Sequence, residues 1–202
     1  PNPSAGWASS APPETRGKRL GDSYAQDWYP PKDFAAYCRY VAACMNRYHR
    51  GRRVWEVLNE PFKAQNWSPD HAYETFLRIV DEEARKLDEN LAVMRCGLSY
   101  LKNTKRNLEA CLLSDLVSEH LYPEYNNTAK VLENWRWVER ILADNHVLKK
   151  VWVTEYGKYA DDDPHHNYAS FSHFNNNGDE RTSTAYSMKY FTILLSNGVD
   201  KI

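Results

Sequence analysis

The sequence is poor in glycine, with eight among 202 residues, and neither GxGxxG nor GxxxxGK[ST] occurs in it. Without a glycine-rich turn after a strand there is no ready cradle for a pyrophosphate, which argues against a nucleotide-binding domain. An excess of one charge is also lacking. The 26 basic and 27 acidic side chains leave a formal net charge of −1, and no run of like charge exceeds the short DDD at Asp161 to Asp163. Neither nucleic acid nor an anionic membrane is therefore an expected partner, and a neutral molecule is. No stretch approaches the roughly eighteen apolar residues of a membrane helix, and PNPSAGWASSAPP has neither the charged nor the apolar region of a targeting signal. The four cysteines, Cys38, Cys44, Cys96 and Cys111, lack metal-ligand spacing and fall inside apparent helices and strands. Buried thiols are expected there, not a disulfide framework, and no metal or cofactor is expected anywhere.

What is present is a rhythm. With 42% apolar and 13% aromatic residues the chain can build one sizeable core, and a single domain over 1–202 is the expectation. After Pro30 and Pro31, the residues Phe34, Tyr37, Val41, Cys44, Met45 and Tyr48 fall on one helical face, and the strand VWEVLN follows Gly51. Ser68, Pro69 and Asp70 open a second helix with a stripe of Ala72, Phe76, Ile79, Val80 and Leu87, before LAVMRC at Leu91 to Cys96. A short helix near Lys105 to Leu113 leads to DLVSEHLY. A longer one through Val131, Trp135, Val138, Ile141 and Leu142 leads to KVWVTEY, and a last one near Thr182 to Leu195 leads to GVDKI. Five helices alternating with five strands predict a mainly parallel sheet with helical crossovers.

In such folds the ligand sits beyond the carboxyl ends of the strands, so polar residues there are site candidates. Glu60 and Glu155 each end a predicted strand, about three βα units apart at roughly thirty or more residues per unit. In a closed eight-stranded barrel that spacing puts them on opposite sides of the mouth, facing inward. Two carboxylates so placed suit the cleavage of a glycosidic bond: one protonates the leaving oxygen and the other attacks the anomeric carbon, at about 5 to 5.5 Å separation on the retaining route. Strand-end acids pairing with rim Lys or Arg side chains are the bland alternative.

Three motifs add to this reading. NEP at Asn59 to Pro61, HLYP at His120 to Pro123 and TEYG at Thr154 to Gly157 together resemble the fourth, sixth and seventh strands of the clan A glycoside hydrolases, retaining (β/α)8-barrel enzymes that include cellulases, mannanases and β-xylosidases. PNP at Pro1 to Pro3 resembles the loop after the third strand, and GVDKI the start of the eighth. The resemblance implies a TIM barrel of which this chain is the C-terminal portion, from about the third crossover helix to the start of strand eight. It further implies Glu60 as general acid/base, Glu155 as nucleophile, and Asn59 as hydrogen-bond partner of the sugar 2-hydroxyl. His120 and Tyr122, two apart on a strand, share a face. The resemblance turns that face toward the mouth, with Tyr122 touching the nucleophile. A negative Glu155 nearby makes a second negative charge on Glu60 unfavourable, so Glu60 keeps its proton until Glu155 is esterified and can then act as base. The implied partner is an oligosaccharide or polysaccharide, and the family favours a secreted or periplasmic location.

Weaker signals remain. Glu56 shares strand parity with Glu60 and would need a partner if buried, with Arg95 as the candidate. Trp7, Trp28 and Trp67 lie in or beside loops where an indole could stack on a sugar, Trp67 best because it follows Glu60 closely; Trp135 and Trp137 read as helix packing and helix surface. The long polar stretch after Glu155 reads as a substrate loop. The sequons at Asn66 and Asn126 are no more than composition yields. A catalytically silent glycan-binding barrel and a doubly wound domain with rim carboxylates are the competing readings. A full barrel takes about 250 residues and eight strands, so the chain is expected to be a fragment whose missing N-terminal strands would complete it. Expressed as it stands, it should be poorly soluble or exchange strands, because unpaired edges template association; a monodisperse monomer with cooperative melting would contradict this.

Overall fold

The computed structural model describes residues 7–20, 23–51, 53–59, 72–95, 111–122, 127–156 and 180–202. A small antiparallel hairpin, β1 (Arg19–Leu20) with β2 (Ser23–Tyr24), precedes the main elements. The sequence reading missed it, since two-residue strands carry no detectable alternation. Then come α1 (Phe34–Tyr48), β3 (Val54–Val57), α2 (Ala72–Leu87), β4 (Ala92–Arg95), β5 (Leu116–His120), α3 (Thr128–Asp144), β6 (Val151–Glu155) and α4 (Glu180–Ser196). The four longer strands hydrogen-bond in the order β3-β4-β5-β6. Glu56 stands beside Met94 in the parallel register of β3 with β4, and Met94 beside Leu116 in that of β4 with β5. A parallel sheet wound in chain order, without a reversal among the described strands, is consistent with part of an α/β barrel and unlike a doubly wound sheet. The chain divides into two compact units, Pro1–Val117 and Ser118–Ile202, and each is described by itself.

In the first unit, α1 starts where the Asp33 carboxylate accepts a hydrogen bond from Ala36 N at 2.8 Å, replacing a carbonyl that the helix end lacks. Its buried face is Cys38, Val41 and Met45, with Phe34 and Tyr37 partly buried beside it. Both aromatic rings meet Phe76 of α2, Phe34 edge-on at 5.7 Å and Tyr37 at 5.2 Å. Tyr48, expected on this face, is 52% exposed in the last turn, where the Arg47 guanidinium lies 5.6 Å from its ring centre. Phe76, Leu77, Val80 and Ala84 of α2 close the core over Val57, Leu91 and Val93. Ser68 to Asp70, the expected start of α2, lie outside the described residues, as do Cys96 and most of the short helix before β5, of which 111–113 are helical. Cys38 and Cys111 are buried and Cys44 is half-buried. In the last turn of α2, Arg85 spans both Asp115 oxygens at 2.6 Å and donates to the carbonyls of Glu89 and Leu91 at 2.8 Å. Asp115 in turn accepts from Val93 N at 2.8 Å. This charge-assisted cluster ties the starts of β4 and β5 together and leaves their other ends for chemistry.

In the second unit, α3 is capped by Asn127, which accepts from Lys130 N at 3.2 Å. It buries Val131, Trp135, Val138 and Leu142, while Trp137 stays 40% exposed, both tryptophans as expected. The Trp135 indole donates to the Asn197 carbonyl at 2.7 Å, joining α3 to the end of α4. Both helices finish with the same paired bonds. His146 N donates to Ala143 O at 3.0 Å and Val147 N to Leu142 O at 2.8 Å after α3; Gly198 N donates to Leu195 O at 3.4 Å and Val199 N to Leu194 O at 3.1 Å after α4. This Schellman turn needs a left-handed residue, supplied by Gly198 at φ 97° in one case and by His146 at φ 57° in the other. Because Gly198 and Val199 belong to that turn, GVDKI is not a strand along its length. It contributes a parallel bridge from Lys201 to Trp152, with Asp200 N donating to Val151 O at 3.0 Å and Val153 N to Lys201 O at 2.8 Å.

His146 is exposed, so replacing it touches only backbone strain. His146→Gly should raise stability by about 0.5 to 1 kcal/mol, and Gly198→Ala should lower it by about 1 kcal/mol, both read from thermal or urea unfolding.

Candidate active site

Strand β5 is buried along its length, as befits an interior strand of a parallel sheet, and it carries three polar side chains inside: Ser118 and Glu119 at 0% exposure and His120 at 3%. Each needs partners at that depth. Ser118 Oγ meets Thr154 Oγ1 of β6 at 2.8 Å, a hydroxyl pair between the two strands. Two residues on from Ser118, at the carboxyl end, His120 Nδ1 lies 3.4 Å from Glu155 Oε2. Two further on, the Tyr122 hydroxyl donates to Glu155 Oε1. Both carboxylate oxygens of the last residue of β6 are thus met from β5 and from the second residue past it.

The site is asymmetric in its access to water. The His120 side chain is 1% exposed and that of Glu155 is 38% exposed. A carboxylate hydrogen-bonded at one oxygen, neighboured by an imidazole at the other and open on one side has the preorganisation and reach that a nucleophile requires. Behind it stands an aromatic layer from α4. Tyr156, next after Glu155, packs on Tyr190 at 4.3 Å and on Phe191 at 5.2 Å, and its hydroxyl meets Ser187 Oγ at 2.7 Å. The Tyr190 hydroxyl donates to the Leu121 carbonyl, between His120 and Tyr122. Burial pushes the Tyr190 phenol well up, with Tyr156, Tyr186 and Glu119 adding like-charge repulsion. Burial also raises the Tyr156 phenol, against the pull of its Ser187 bond, and burial together with Tyr156 takes Tyr186 to about 12. The layer stays neutral through the working pH range.

Of the residues singled out in the sequence, the structure brings His120, Tyr122 and Glu155 together. Asn59 is exposed just past β3, in the other unit. Glu60, Trp67 and the polar stretch after Glu155 lie outside the described residues, as do the side chains of Trp28 and Arg95; Trp7 is 82% exposed in a turn. The expected strand through Asn59 ends earlier, at Val57, because Leu58 takes a left-handed backbone at φ 64°. That break in the extended chain removes the parity link drawn between Glu56 and Glu60. Glu56 is half-buried, one register position short of Arg95. The described residues hold no group of three or more potential metal ligands. The aromatic layer and buried Glu119 escaped the sequence reading: Tyr190 is indistinguishable there from any packing residue of its helix.

No family model matches the chain, and no curated protein matches it in sequence. Solved structures do. A β-glucuronidase of Bacteroides uniformis superposes with a TM-score of 0.60 at 13% identity over 82% of this chain and 20% of that one. A glucosidase from Croceicoccus marinus gives 0.62 at 13% identity over 85% and 38%. An endoglucanase from the hyperthermophilic Thermotoga maritima gives 0.55 at 12% identity over 83% and 57%. The fold is glycoside hydrolase-like. At such identities the likeness shows the fold alone, and this chain spans between 20% and 57% of the length of those structures.

Leu58 sits in the left-handed region at 5% exposure, immediately before Asn59. At an ordinary buried site Gly is worse than Ala. Here Leu58→Gly should be more stable than Leu58→Ala by about 1 kcal/mol, since only glycine is free of the left-handed penalty; denaturant midpoints of the two variants decide it.

Proposed function

We propose that the chain is part of a retaining β-glycoside hydrolase of clan A, with Glu155 as nucleophile and Glu60 as general acid/base. The observation that carries this reading is the Glu155 carboxylate at the end of β6, met at Oε1 by Tyr122 and at Oε2 by His120 and open to solvent on its remaining side. The sequentially wound parallel sheet and the likeness to glycosidases support it.

In this reading the chain is the C-terminal portion of a TIM barrel, from about the third crossover helix to the start of strand eight. The Tyr122 hydroxyl orients one oxygen of Glu155 so that the other faces the anomeric carbon, and His120, sealed from water, keeps the carboxylate from swinging away. Glu155 attacks while Glu60 gives its proton to the leaving oxygen, forming a glycosyl ester. The charge on Glu155 is then gone, Glu60 takes a proton from water, and that water releases the sugar with net retention. Asn59 would bind the sugar 2-hydroxyl and Trp67 would offer a stacking face. The substrate is a β-linked oligosaccharide or polysaccharide.

The test is chemical rescue on an activated aryl β-glycoside. Glu155→Ala should lower kcat on the order of 10³-fold or more, and added azide should restore turnover with an α-glycosyl azide as product, because a small anion entering on the vacated side displaces the aglycone once, with inversion. A β-glycosyl azide would assign Glu155 the acid/base role instead. Glycan binding by the unaltered protein without turnover would establish a binding barrel.

A further inference from the structure

We propose that Tyr190 is a positioning residue for the Glu155 site: from α4 it holds the peptide carbonyl of Leu121 so that the side chains on either side, His120 and Tyr122, both reach the carboxylate. The part this plays in turnover rests on Glu155 being the nucleophile; the geometric part does not.

Strand β5 ends at His120, so the carbonyl of Leu121 lies past the strand's own span, at a residue 5% exposed where a buried acceptor needs a donor. The Tyr190 hydroxyl is that donor, across 69 residues of sequence. A peptide plane held there fixes how Tyr122 leaves the strand. Tyr190 is itself 0% exposed and its ring is clamped by Tyr156 at 4.3 Å and Phe191 at 5.8 Å, so the hydroxyl has little freedom. The same ring therefore braces both sides of the site: the Leu121 peptide through its oxygen, and the residue after Glu155 through its face. Because burial disfavours the phenolate, the hydroxyl remains a donor at every pH at which the protein works. Packing alone would be served by phenylalanine, and the oxygen is what distinguishes a positioning role from a structural one.

The experiment labels the tyrosines of the full chain with 13C at the ring carbon that bears oxygen, with signals assigned by single Tyr→Phe variants. In equal H2O and D2O, the Tyr190 signal of the unaltered chain should split into two lines, the mark of a hydroxyl exchanging slowly in a buried bond; a single averaged line overturns the proposal without any variant. Glu155→Gln should move the Tyr122 signal, since it removes the carboxylate that Tyr122 donates to. Tyr190→Phe should move the Tyr122 signal as well, and should lower kcat on an aryl β-glycoside about tenfold with KM changed less than about twofold. Trp135→Phe, which loses the bond to Asn197 O elsewhere in the same unit, is the control for a comparable loss of Tm and should leave Tyr122 where it is. If Tyr190→Phe lowers Tm as the control does but moves neither the Tyr122 signal nor kcat, Tyr190 is only structural and the proposal fails. If the protein with its barrel strands complete turns over no glycoside, the functional reading fails instead, while the two NMR measurements still decide the geometric claim.

Discussion

Parallel strands cannot be joined by a tight turn, and that constraint organises this protein. Each step to the next strand requires a crossover, the crossover is usually a helix, and the helix must bury one stripe against the sheet. The apolar stripes of α1 and α2, and of α3 and α4, meet that requirement within their own units. All strands of such a sheet then point the same way, so their carboxyl ends lie together. Whatever polar chemistry the strand ends carry is gathered at one rim, while the opposite rim can be tied by salt bridges such as Arg85 with Asp115.

At the chemical rim the physical problem is holding a carboxylate still while leaving it reachable. Glu155 is held by two side chains from one neighbouring stretch, and that stretch extends beyond the hydrogen bonds of its strand. A strand end is the least constrained part of a sheet, because its last carbonyls have no ladder partner. The contact of Tyr190 with Leu121 supplies one from the helix layer. The site thereby borrows rigidity from the hydrophobic core, where side chains are close-packed and have few alternative positions.

Backbone strain is placed unevenly. Gly198 takes its left-handed conformation at no steric cost, while His146 and Leu58 adopt it against their side chains. His146 closes an exposed helix end, where the two turn bonds and the burial of Leu142 and Val147 compensate. Leu58 is buried directly before the Asn-Glu pair, at a bend that turns the chain out of β3. Strain of that kind persists where surrounding packing over-determines it, and its position beside Asn59, a candidate substrate-binding residue, fits that rule.

The sequence by itself determined the element rhythm, most of the stripes of α1 to α3, the parallel sheet and the meeting of His120 and Tyr122 on one face, because period and parity are local properties of a helix and a strand. It also marked Glu155 as a strand end, since a β-branched run closing on an acid is visible in KVWVTEY. It could not show that β3 stops at Val57, because nothing in VLN announces a left-handed leucine; that conformation is imposed by what packs around it. Nor could it show that Tyr190, one residue of an unremarkable stripe, reaches a carbonyl 69 positions away. Such a contact depends on how two layers are set against each other, and that setting is decided by the packing of the whole core, which no single stretch of sequence encodes.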